Sequence, residues 1–319
     1  MNLNGAAAGR ACVLRGGSYV VVVGGANVDI GGRSRAPLVA ADSNPGTISL
    51  SLGGVGRNIA HNLRLMGPDV KLLTAYGDDM NGAHLEHSCA QLGIDLKCAL
   101  KRRGEATSTY LYIAGQDGDM ALAVSDMAIC DRIDPEYLAS HYALLQNARV
   151  IVCDTNIPAE SLQYLTEQFS APIFCDPVST AKAEKLRPIL GRLHTLKPNK
   201  LEAELLSGIP IRDRADAEKA ARALLDTGLQ RVFLSLGGDG MYAATQEESL
   251  WMENLPCSIV NTTGCGDSAM AALVWAYLEE LSLAESVRAA LAAGSITIES
   301  PETISPEMCE ELLRSRMGS

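Results

Sequence analysis

Asn261-Thr262-Thr263-Gly264-Cys265-Gly266-Asp267 runs directly into residues 268–281, an apolar stretch that predicts a helix. Glycines at a helix start leave backbone N–H groups uncovered, and the helix dipole adds partial positive charge, so this loop can hold an anion. Asp267 at its end is placed to take a proton from an attacking hydroxyl. The plainer assignment makes Asp267 a cap or first-turn acid, and the local residues leave both open. The same loop should lower the thiol pKa of Cys265 and make it reactive if solvent reaches it, unless it only fills the space of an alanine.

Two further segments have chemistry in them. Gly53-Gly54-Val55-Gly56-Arg57-Asn58 leads into a helical pattern over 59–66. Its glycine spacing is not that of the dinucleotide fingerprint, but it lets backbone approach a polyhydroxylated ligand, with Asn58 as a donor to a ligand oxygen. In Lys197-Pro198-Asn199-Lys200-Leu201-Glu202, Asn199 and Glu202 are spaced as a helix capping pair. The same carboxylate can hold Mg²⁺ through water, because that ion keeps several waters and takes few protein ligands. His84 and His87 have no third ligand suggested nearby and read as surface residues.

Elements that could position these segments alternate along the chain. Short β-rich runs at 19–23, 71–75, 149–153, 172–175, 194–197 and 231–236 are separated by amphipathic stretches near 57–67, 81–93, 134–147, 158–170, 180–192 and 213–228. That order predicts a parallel sheet covered by helices on both faces. Residues 47–52, 109–113 and 120–124 alternate polar and apolar instead, which predicts half-exposed antiparallel strands forming a small flap beside the sheet.

Composition narrows the function classes. With 27 Lys+Arg against 38 Asp+Glu the net charge is −11, and 3 Phe, 2 Trp and 9 Tyr offer few stacking platforms, so nucleic-acid binding is not expected. The longest apolar run, 269–278, is about half of the ~20 residues that span a bilayer, so no membrane partner is expected. Nine dispersed cysteines with no Cys-x-x-Cys pair suit reduced thiols and a cytoplasmic location. Residues 1–18 read as a disordered tail.

The chain resembles the ribokinase-like (PfkB) family of carbohydrate and nucleoside kinases from about Tyr19 to about Ser300. Asn27-Val28-Asp29 matches the family's Asn-x-Asp, residues 53–58 its Gly-Gly-x-Gly-x-Asn, Asn199 and Glu202 its Asn-x-x-Glu, and residues 262–267 its Thr-x-Gly-x-Gly-Asp. The resemblance implies an α/β three-layer fold with a mainly parallel central sheet, a kinase domain over 19–316, and a β lid from about 30–53 and 105–125. It implies Asp267 as general base and the backbone of Gly264, Cys265 and Gly266 as the anion hole for the migrating phosphoryl group. Asn27, Asp29, Gly53, Gly54 and Asn58 would hold the sugar, with Ser43, Asn44 and Asn156 contacting base or ribose. Ser235, Gly237 and Gly240 would contact ATP and Leu291 would line the adenine. Lys182 would reach the phosphates, unless it is a solvated surface lysine. Asn199 and Glu202 would hold Mg²⁺ through water, and K⁺ would sit near Asn261 and Thr263, although Asn261 stands where many members carry Asp and Cys265 where Ala is usual.

Within the family, residues 41–46, 54–62 and 194–199 are most similar to the pseudouridine kinases. This implies phosphorylation of the pseudouridine 5′-hydroxyl by ATP, and a homodimer formed through the lid. A pocket that selects pseudouridine over uridine should present an acceptor to its extra N1–H, with Ser43, Asn44 and Asn156 as candidates. The alternatives are a ribokinase, another nucleoside kinase, or a non-catalytic nucleoside sensor. A sensor is expected to have lost the acid or the anion loop, and this sequence retains Asp267, Gly264 and Gly266.

Overall fold

A computed structural model of the chain describes residues 19–318, so the tail expected over 1–18 lies outside the described residues. Eight strands form the main sheet, in the order Ser249–Met252, Met241–Ala244, Arg231–Ser235, Thr195–Leu196, Ile173–Asp176, Val150–Asp154, Tyr19–Val23, Asp69–Leu73. The six strands from Arg231–Ser235 to Asp69–Leu73 pair in parallel. The other two add an antiparallel edge that the sequence pattern did not predict.

The all-apolar strands follow from burial on both faces. Along Tyr19–Val23, Val20 and Val22 pack into one core while Val21 and Val23 pack into the other. The first core is closed by helices Val55–Leu65, Cys265–Leu278 and Leu283–Ile298, the second by Ala159–Gln168 and Arg214–Leu225. Two helical stretches are more broken than their periodicity predicts. Residues 134–147 divide at His141 into Pro135–Ser140 and Tyr142–Gln146, and 180–192 is a short helix, Thr180–Ala183, followed by a 3₁₀ segment containing Pro188. The stretch at 213–228 ends at Leu225, and a separate helix, Lys200–Ser207, precedes it.

A second, four-stranded sheet has the order Gly46–Gly53, Asn27–Ser34, Thr109–Ala114, Met120–Asp126. The flap was expected to be antiparallel, but Asn27–Ser34 runs parallel to Thr109–Ala114 and antiparallel to Gly46–Gly53. Gly31-Gly32 interrupts the alternation of that central strand, which hid it in the sequence. A Cβ on Gly31 would lie 2.4 Å from the Tyr112 ring, so glycine is what fits there. The register puts Ile48, Leu50, Leu111, Leu122 and Val124 on one face, where Ile48 is 81% exposed. Asp29, Ser51 and Tyr110 share the opposite face.

Candidate active site

Strands of the parallel sheet deliver their carboxyl ends to one side, where ligands of open α/β sheets bind. Asp154, fully buried, closes the strand Val150–Asp154. Its Oδ2 accepts from the backbone N–H groups of Gly25 (2.9 Å) and Gly56 (2.7 Å), and its Oδ1 from that of Asn156 (2.8 Å). One carboxylate therefore joins the loop after the first strand to the glycine-rich loop at 53–56. Burial raises its pKa, opposed by those N–H donors. At Gly24 a Cβ would stand 2.4 Å from this carboxylate, so the first loop needs its glycine.

Gly54 has φ 94° and sits against the Gly25 carbonyl, and Asn58 follows in the first turns of Val55–Leu65. The Asn58 amide Nδ2 donates to Asp267 Oδ2 at 2.8 Å. Asp267 lies in the first turn of Cys265–Leu278, whose N-terminus has no side-chain cap. Cys265, Gly266 and Asp267 at this uncapped start all line the cleft, as an anion site at a helix N-terminus requires. Gly264 has φ 84°, and a Cβ on it would be 2.0 Å from the Thr303 carbonyl. Behind the loop, a Cβ on Gly266 would be 3.4 Å from Lys197 Nζ.

Lys197 and Asp176 form an ion pair at 3.0 Å with side chains only 6% and 8% exposed. Burial alone would lower the Lys197 pKa, but Asp176 and more distant carboxylates hold it above the ordinary value. Burial also pushes the Asp267 carboxyl up to about 7, helped by the Asp176 charge and opposed by Asn58 and Lys197. A carboxyl poised near neutrality is suited to take a proton. Asp154, Asp176 and Lys197 were not among the site residues expected from the sequence. The available signal was the acid that ends each of two wholly apolar strands, Val150–Asp154 and Ile173–Asp176.

A cleft of about 560 Å³ opens from Asp267 and is lined by Asn199, Glu202, Ser235, Gly237, Gly240, Cys265, Gly266 and Leu291. It is large enough for a nucleotide-sized ligand. Asn199 and Glu202 form a complete capping box, with Asn199 N to Glu202 Oε2 at 2.8 Å and Glu202 N to Asn199 Oδ1 at 2.9 Å. The capping and cofactor assignments are compatible, because the cap fixes one carboxylate oxygen while the side chain still lines the cleft. Among the described residues no cluster of three or more His, Cys, Asp and Glu could hold a metal ion. Glu202 is a single carboxylate beside the cleft, a donor that fits an ion held mainly by phosphates and waters. The loop at Asn261 is less suited to K⁺. Its Oδ1 accepts from Thr263 N at 3.0 Å and its Nδ2 donates to the Pro301 carbonyl at 3.1 Å, so an amide already ties the loop where a cation would.

On the sugar side, Asn27 Nδ2 donates to Asp29 Oδ1 at 2.6 Å, and a Cβ on Gly53 would stand 2.2 Å from Asp29 Oδ2. Burial raises the Asp29 pKa, opposed by Asn27 and by the Arg57 charge. Five expected residues differ from expectation in place, partner or pKa. Ser43 is exposed, and Asn44, half-buried, has its amide spent on Val39 and Asp42 in its own loop. Lys182 does not line the cleft; its Nζ donates to Asn156 Oδ1, which removes Asn156 as a free acceptor. At Cys265 burial raises the thiol to about 11, overriding the expected effect of the helix start.

Comparison with known proteins agrees with this geometry. The pfkB family of carbohydrate kinases matches residues 18–309. Pseudouridine kinase of Escherichia coli is 42% identical over 297 residues, covering 92% of this chain and 95% of the relative. An uncharacterized sugar kinase of the same organism is 38% identical, covering 91% and 80%. Among solved structures, a carbohydrate kinase from Agrobacterium tumefaciens superimposes with TM-score 0.83 at 25% identity, covering 94% of this chain and 97% of that one. Arabidopsis thaliana ribokinase complexed with ribose and ATP has TM-score 0.83 at 22% identity, covering 95% and 99%, a likeness of fold. No helix among the described residues is long and apolar enough to cross a membrane. The chain belongs to the pfkB family of carbohydrate kinases and is a phosphotransferase acting on an alcohol group.

Proposed function

We propose that this kinase transfers the γ-phosphoryl group of ATP to the 5′-hydroxyl of pseudouridine. The observation that carries the reading is the Asn58–Asp267 contact at 2.8 Å beside an uncapped helix start, in a chain 42% identical to a pseudouridine kinase. Asp267 accepts the hydroxyl proton as the 5′-oxygen attacks the γ-phosphorus, and ADP leaves. Asn58 orients that carboxylate. The N–H groups at 264–266, backed by Lys197, stabilise the charge on the migrating group. Mg²⁺, when bound, neutralises phosphate charge. Asp29 Oδ2, with no hydrogen-bond donor on it among the described residues, accepts from ribose hydroxyls, while Ser235, Gly237 and Leu291 hold the nucleotide.

ADP release should be followed with pseudouridine, uridine, adenosine, inosine, ribose and fructose. A pocket built on hydrogen bonds rejects analogues that lack a partner group, so with Ser43 as the remaining candidate acceptor for N1–H, kcat/KM for pseudouridine should exceed that for uridine at least roughly tenfold. Equal values would leave a less selective nucleoside kinase.

The apolar outer face of the small sheet supports the homodimer. Ile48, Leu50, Leu122 and Val124 are 81%, 52%, 63% and 58% exposed on one face, and contiguous apolar surface of this kind marks an association site. Light scattering should give twice the chain mass for the wild type and the single-chain mass for Leu122→Lys/Val124→Glu. A monomeric wild type would remove this part of the reading.

A further inference from the structure

Asn156 follows the strand Val150–Asp154 and is held at both ends. Its backbone N–H is fixed by Asp154 Oδ1 at 2.8 Å, and its side-chain Oδ1 accepts from Lys182 Nζ. Lys182 reaches it by a strained route. Asp176 Oδ1 accepts from Val178 N at 2.8 Å, holding Val178 at φ 62°, a conformation that is an outlier for a β-branched residue. The turn starts the short helix Thr180–Ala183, which carries Lys182 back over the sheet end. Lys185 secures the same corner by donating to the Thr155 and Ile157 carbonyls at 2.9 Å each. Strain kept at a site is a sign that its geometry is used.

With Oδ1 committed to an ammonium group, the Asn156 amide cannot flip without placing its NH₂ against three N–H donors. Nδ2 is thereby fixed toward Gly25, where a Cβ would stand 2.9 Å from it. It donates to no protein acceptor among the described residues. The Lys182 ammonium likewise has N–H groups left over. Asn156 Nδ2 and Lys182 Nζ thus present donors, whereas Asp29 on the sugar side presents an acceptor.

We infer that Lys182 is a positioning residue that locks the Asn156 amide so that its Nδ2 reads a carbonyl oxygen of the nucleobase beside the glycosidic bond. The inference rests on the nucleoside-kinase reading and specifies which part of the nucleoside this corner recognises. Asp29 is matched to the ribose diol and Asp267 to the 5′ end, which leaves the base for Asn156. In pseudouridine the C4 carbonyl flanks the glycosidic carbon, and in uridine the C2 carbonyl has the equivalent place. The corner therefore distinguishes carbonyl-bearing bases from bases without one. It does not tell the two pyrimidine nucleosides apart.

The test compares binding of pseudouridine with that of 1-β-D-ribofuranosylbenzene, which keeps the ribose and an aromatic ring but has no carbonyl. Each is measured by competition against turnover. Wild type should prefer pseudouridine at least roughly tenfold, and Lys182→Met should bring the preference within about threefold. Asn156→Asp keeps the size and the contact with Lys182 but presents only acceptors, so it should lose the preference while its melting temperature is retained. Lys182→Arg restores a donor to Oδ1 and should recover most of the preference. If Lys182→Met and Asn156→Asp keep the wild-type preference, or weaken the phenyl riboside as much as pseudouridine, the corner reads ribose or nothing, and the inference is overturned. If uridine outruns pseudouridine in turnover, the substrate reading fails separately. The same comparison is then run with uridine against the phenyl riboside.

Discussion

Asp267→Asn should lower kcat about a thousandfold, within the 10²–10⁴ range of a general base, while pseudouridine binding changes little. Asparagine keeps the size and one acceptor for the Asn58 amide, so the geometry survives and only the proton acceptor is lost. The wild-type rate should fall as pH drops below about 7, because the carboxyl titrates there and only its ionised form accepts the proton. Stability should run the other way. The folded pKa lies above the ordinary 3.8, so Asp267 contributes its full stabilisation below about pH 4, and that contribution is lost as pH rises through about 7. At pH 8 the ionised carboxylate opposes folding, and the Asn variant should melt a few degrees above wild type. The gap should narrow as pH falls toward 4. Turnover within tenfold of wild type would make Asp267 a first-turn acid only.

Much of this site could be read from the sequence because its loops are backbone devices. Gly54 and Gly264 adopt φ values of 94° and 84° that side chains rarely accept, and such requirements leave a glycine in the sequence. Asn199 and Glu202 were spaced for a capping box and form one. Contacts between distant segments left no such mark. For Lys182 the sequence left a phosphate contact or a solvated surface position open, but the turn at Val178, strained by Asp176, aims it at Asn156 instead. Cys265 shows two principles in conflict at one position, since the helix start lowers a thiol pKa and burial raises it. Burial wins by enough to bring the thiol to about 11. In the lid, the alternation marked three of the four strands but neither the central Asn27–Ser34 nor the direction of pairing, which depends on how the chain between strands crosses the molecule. The parallel pairing of Asn27–Ser34 with Thr109–Ala114 joins segments separated by the whole Val55–Leu65 and Met80–Leu92 region.

Lys197→Met should lower kcat by about two to three orders of magnitude, the cost of removing a fixed charge that stabilises the transition state. The ammonium group stands behind Gly266, close to where charge accumulates on the migrating phosphoryl group. The single variant also strands the Asp176 carboxylate, 8% exposed, without its partner, which should cost about 3–5 kcal/mol of stability. Combining it with Asp176→Asn separates the two effects. Asparagine keeps the Oδ1 acceptor for Val178 N, so the turn survives, and no buried charge is left unpaired. Most of the stability should return in the double variant, whereas the lost rate should not. The pH profiles give an independent check, because Lys197 lowers the Asp267 pKa and Asp176 raises it. The acid limb should move above pH 7 in Lys197→Met and back toward wild type in the double variant. If the double variant regained both stability and rate, Lys197 would be a structural partner of Asp176 with no part in phosphoryl transfer.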